Sequence, residues 1–127
     1  MDYNAAFNKK LMDFADDLQM LRDRLGIDVP QLSLFKPAVV MAESFDPQQP
    51  RRVFHEHVAI KYGQHIKDKN EQFFLENDAY EDEAGVQMDL VSLLKQVWTT
   101  LNAGNKAAIW GHLQLLLAID ERCEKSS

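Results

Sequence analysis

The chain has 127 residues, of which 46% are hydrophobic and 27% charged, with a net charge of −6. This balance excludes disorder as a class, and the length is enough to bury a core without disulfide or metal staples. Cys123 is the only cysteine, so no intrachain disulfide can form and a reducing compartment is expected. The amino terminus lacks the basic start and apolar run of a secretory signal. Runs such as Leu115 to Ile119 fall far short of the roughly 20 apolar residues of a membrane span. The expectation is one helical domain over residues 1–127, intracellular (cytoplasm or nucleus), with no membrane span.

Phe7, Leu11, Phe14, Leu18, Leu21 and Leu25 recur at alternating steps of four and three, which predicts one continuous helix over 3–25 with a single apolar stripe. A two-stranded coiled coil would show the same repeat. Two Phe in a stripe this short favour packing on a globular core over a narrow seam, and Gly26 ends the helix. Leu32, Phe35, Val39 and Val40 predict a second helix ending near Ser44, kinked or split at Pro37 because proline lacks an amide and clashes one turn back. Asp46-Pro47 reads as an N-cap with a first-turn proline. A third helix is expected from about Arg51 to Tyr62, with Val53, Phe54, Val58 and Tyr62 inward and Gly63 as its stop.

Asp68 is expected to cap a short helix through Phe73, Phe74 and Leu75, followed by an acidic loop over 77–86. From Leu90 to Cys123 two apolar stripes face each other. Leu90, Leu94, Val97, Trp98 and Leu101 form one, and Ile109, Trp110, Leu113, Leu116 and Leu117 the other. Between them Asn102-Ala103-Gly104-Asn105 predicts a tight antiparallel hairpin, Gly104 supplying left-handed backbone and Asn105 the next N-cap. The resulting expectation is an all-α, compact bundle of about five main helices plus one short helix, closed by a C-terminal helical hairpin.

Charge is unevenly spread. Residues 51–70 carry +3 and residues 71–90 carry −7. The basic segment holds Arg51, Arg52, His55, His57, Lys61, His65, Lys67 and Lys69, the candidate binding residues for phosphates of nucleic acid or for an acidic protein surface. As metal ligands its histidines are poorly spaced, because residues two apart point to opposite sides of a helix. His55 and His57 could share an ion only if the helix were broken there, so no metal is expected. The acidic run Glu76, Asp78, Glu81, Asp82 and Glu83 does not have the frame of a calcium loop, which needs Gly where Glu83 stands. Cys123 lies near a helix end whose dipole raises a thiol pKa, and neither Gly-rich phosphate loops nor serine elbows occur. No catalytic residue and no cofactor is expected.

Four elements in order carry a resemblance: Phe7-Asn8-x-x-Leu11-x-x-Phe14-x-x-Asp17-Leu18; Val53-Phe54-His55-Glu56; Tyr62-Gly63-x-x-Ile66-x-x-Lys69-x-Glu71-x-Phe73-Phe74-Leu75; and Trp98 with Asn105-Lys106-x-x-Ile109-Trp110. Together they resemble a family of small helical proteins encoded by large nucleocytoplasmic DNA viruses of algae and protists. That family brings no activity with it. The resemblance implies an intracellular viral product carried in the virion or made in the virus factory. The resulting expectation is a non-enzymatic protein-interaction module that binds a protein partner or itself, with a nucleic-acid-associated accessory factor as the alternative.

Overall fold

The long stripe of the first helix becomes the floor of the core in a computed structural model that describes residues 2–27, 31–72, 94, 95 and 97–126, with 31–33 as backbone only. Helix α1 (Tyr3–Leu25) buries Phe7, Leu11, Phe14 and Leu18 against the other helices, so its repeat serves an internal core. Each such side chain removed from water contributes roughly 1.5–3 kcal/mol. The stripe fades at its end, where Leu25 is 41% exposed. Asp2 caps the start, its carboxylate accepting the Ala5 N–H at 3.0 Å. Gly26 ends the helix as expected, with φ +65°, a backbone that a Cβ would strain.

Helix α2 (Gln31–Phe45) packs beside α1 and runs through Pro37 as one helix, so of the expected kink or split at that proline the split does not occur. Phe35 and Val39 face the core, and Pro37 lies on the exposed side. The Asp46 side chain accepts the Gln48 N–H at 3.0 Å and forms a turn, so it does not cap the next helix. Pro50, not Pro47, occupies the first helical turn, where a missing amide costs nothing. Asn8 anchors this turn to α1 by donating to the Pro47 carbonyl at 2.8 Å.

Helix α3 (Gln49–Phe54) continues through a π-helical turn (His55–Ala59) into α4 (Ile60–Lys67). The buried residues explain the insertion. Phe54, Val58, Tyr62 and Ile66 recur at strict steps of four, and each such step over-rotates an α-helix by about 40°. A turn closed by the Ile60 N–H on the His55 carbonyl holds an extra residue and keeps all four on one face. Val53, expected inward, is 40% exposed. Gly63 does not stop the helix. It is buried where α4 crosses the last helix, and a Cβ there would meet Leu117 Cδ1 at 3.6 Å.

The stop comes at Asp68, the C-cap residue of α4 and not the N-cap of a following helix. Asn70 N–H bonds the His65 carbonyl and Lys69 N–H the Ile66 carbonyl, a paired closure with Lys69 in left-handed backbone at φ 51°. Glu71 and Gln72 are helical again, while the Phe73–Leu75 plug, the acidic loop over 77–86 and the start of the hairpin's first arm lie outside the described residues.

Helix α5 (Ala103–Ser126) covers the segment expected to form the second arm of a hairpin. Its cap is Asn102, whose side chain accepts the Asn105 N–H at 2.8 Å, and Gly104 sits inside the first turn without left-handed backbone. Leu94, Val97, Trp98 and Leu101 are buried ahead of it, and the Trp98 and Trp110 rings meet edge to face at 5.3 Å. The architecture is all-α, with no strand among the described residues. No helix among them is long and apolar enough to cross a membrane.

Candidate functional site

The apolar stripe of α5, Ile109, Leu113 and Leu116, is carried one turn further by a carboxylate, Asp120, which is 1% exposed. A buried carboxylate is costly unless fully paired. Its partners come from α3 and the π turn. Arg51 and His55 stand four residues apart on one helix face, opposite Asp120 and Glu124, four apart on α5, so two helical i, i+4 pairs meet face to face.

Arg51 Nη1 donates to Asp120 Oδ1 at 2.8 Å and to Glu124 Oε2 at 2.9 Å, and its Nε donates to Asn4 Oδ1 at 2.9 Å. One guanidinium thereby ties α1, α3 and α5 together. His55 takes the other side of the carboxylates, with Nδ1 2.7 Å from Asp120 Oδ2 and Nε2 3.4 Å from Glu124 Oε1. Burial works against the charge on Arg51, but its bonds to Asp120 and Glu124 outweigh that cost and hold its pKa above the ordinary arginine value.

The eight residues expected to form a binding face are therefore divided. Arg51 and His55 turn inward to the acids of α5, and Lys67 pairs with Glu121 on the same helix at 2.7 Å. Arg52 reaches Gln48 at 2.9 Å and Asp46 at 3.4 Å. His65 Nδ1 lies 2.9 Å from Asn70 Nδ2, His57 is half-buried, and Lys61 and Lys69 are exposed. Asp120 and Glu124 were not among the expected site residues. Their one sequence signal is a charged residue standing where the 109, 113, 116 repeat calls for an apolar one.

A second feature lies on α2. Leu34, Val40, Met41 and Phe45 are exposed, Met41 to 74% and Phe45 to 89%. Between this face and α1 runs an open groove of about 620 Å³, lined by Gln19, Lys36, Pro37, Val40, Met41 and Ser44.

No family model, curated protein or solved structure matches the chain.

Proposed function

We propose that the protein is a non-enzymatic helical interaction module, an all-α bundle of five main helices and one short helix closed by its C-terminal hairpin, whose working face is the outer side of α2. The observation that carries this reading is the exposed row Leu34, Met41 and Phe45, spaced seven and four apart on one helix face. Its occupant is a second copy of the chain. Two α2 helices laid antiparallel about a twofold axis between Val39 and Val40 place Leu34 against Phe45 and Met41 against Ala38. Apolar groups then meet apolar groups from both copies, as an isologous interface requires.

The viral resemblance supplies the setting, an intracellular virion or virus-factory component. Size-exclusion chromatography with light scattering over a concentration series tests the reading. A dimer that Met41→Asp and Phe45→Asp each convert to monomer is expected. A strict monomer at every concentration overturns it. The nucleic-acid alternative has less support, because Arg51 and Lys67 are engaged by the acids of α5. Salt-sensitive binding to DNA or RNA that Lys61→Ala and Lys69→Ala weaken would put it in place of the interaction reading.

A further inference from the structure

The facing pairs of α3 and α5 leave one oxygen on each carboxylate turned toward His55. Arg51 Nη1 occupies Asp120 Oδ1 and Glu124 Oε2 and so fixes both carboxylates from outside. Asp120 Oδ2 and Glu124 Oε1 converge on the imidazole from its two ends. A ligand atom from each of His55, Asp120 and Glu124 lies within 4.8 Å of the others. The residue types, one imidazole and two carboxylates, are those that hold zinc and other borderline divalent ions. Two carboxylates against one guanidinium also leave an excess of acidic groups at the site.

We propose that His55, Asp120 and Glu124 form a binding site for a divalent transition-metal ion, zinc by preference, with Arg51 orienting the two carboxylates. This site is separate from the α2 face and does not depend on self-association. Zinc ligands at about 2.0–2.2 Å from the ion lie about 3.4 Å apart in a tetrahedron. The 2.7 Å between His55 Nδ1 and Asp120 Oδ2 therefore has to open by about 0.7 Å on binding. His55 and Glu124 can supply that movement because both reach solvent, whereas Asp120 is sealed in and held by Arg51. Water takes the fourth position on the exposed side. Lying between α3 and α5, the ion stabilises the folded chain by mass action. The helix departs from α geometry at His55, where the π turn begins, a feature frequent at functional sites.

The test is titration of the full chain with Zn²⁺, and with Co²⁺ as a spectroscopic substitute, at a pH of about 7.5 where an ordinary histidine is neutral. One ion per chain, a rise in Tm of several degrees and visible Co²⁺ absorption are expected. His55→Ala and Glu124→Ala should abolish all three. Both sites reach solvent, so these variants keep their fold, and Asp120→Asn is avoided because it would strand the buried Arg51. His112→Ala and Cys123→Ser should bind as the parent does, although His112 lies beside Asp17 and a thiol is a strong zinc ligand. The proposal is overturned if Zn²⁺ leaves Tm unchanged at millimolar concentration, if binding survives His55→Ala, or if it disappears in Cys123→Ser or His112→Ala.

Discussion

At the scale of single residues, Arg51 and Asp120 set the tightest constraint. Removing Arg51 leaves Asp120 buried beside one half-exposed histidine, so Arg51→Ala is expected to cost about 3–5 kcal/mol in urea unfolding. Replacing both by apolar groups of similar volume, Arg51→Met with Asp120→Leu, should return most of that loss, because neither charge then has to leave water. A double replacement as unstable as Arg51→Ala would show that the pair contributes more than mutual compensation. Glu71 makes a different kind of contact. Its carboxylate accepts from Lys106 and from the Trp98 indole at 3.0 Å, and the Lys106 bond, followed by the Trp98 bond, lowers its pKa below the usual glutamate value. Because the folded pKa is the lower one, its stabilisation is complete above the unfolded value of about 4.3 and disappears as pH falls through the folded value. Glu71→Gln should therefore flatten the acid limb of stability in that window while leaving the neutral side less stable. An unchanged acid limb, followed by Trp98 fluorescence, would contradict the assignment.

At the scale of elements, two helix features invite substitution. Lys69 holds left-handed backbone at the end of α4, where a Cβ costs roughly 1 kcal/mol, so Lys69→Gly should stabilise by up to about that amount. Gly63 lies inside the helix, and a Cβ there meets Leu117 at ordinary contact distance. Gly63→Ala should consequently be neutral or stabilising by up to about 1 kcal/mol through helix propensity. A loss of more than that in thermal melts would mean that α4 and α5 approach more closely than the geometry indicates. The same elements show what the sequence could express. The 3–4 repeat from Phe7 to Leu18 and the glycine at 26 announce α1 because both are local signals. The strict steps of four from Phe54 to Ile66 look like an imperfect α stripe, and only packing reveals them as the mark of a π turn. The charged clamp escaped for a related reason. Arg51 and Asp120 are 69 residues apart, and periodicity read within one helix says nothing about which face of another it will meet. Gly104 was the more obvious break ahead of α5, yet Asn102 made the cap because its side chain could reach the Asn105 amide without any left-handed residue.

Across the whole molecule, the basic segment and the acidic end of α5 offset each other. Asp120, Glu121 and Glu124 crowd the last turns of α5, where the helix dipole disfavours negative charge, and Arg51, His55 and Lys67 from the neighbouring helix supply the compensation. Arg51 and His55 are thus turned inward, and the outer side of α2 stands out by its apolar character. If that side joins two copies, folding and association are linked, because a ligand that binds only the folded state raises stability with its own concentration. The midpoint of thermal unfolding should then climb with protein concentration, whereas Phe45→Asp should give a lower midpoint independent of concentration. Phe45 is 89% exposed within one chain, so a monomer has little to lose when it becomes aspartate. Equal midpoints for the parent and Phe45→Asp at every concentration would show that α2 is covered by no second copy.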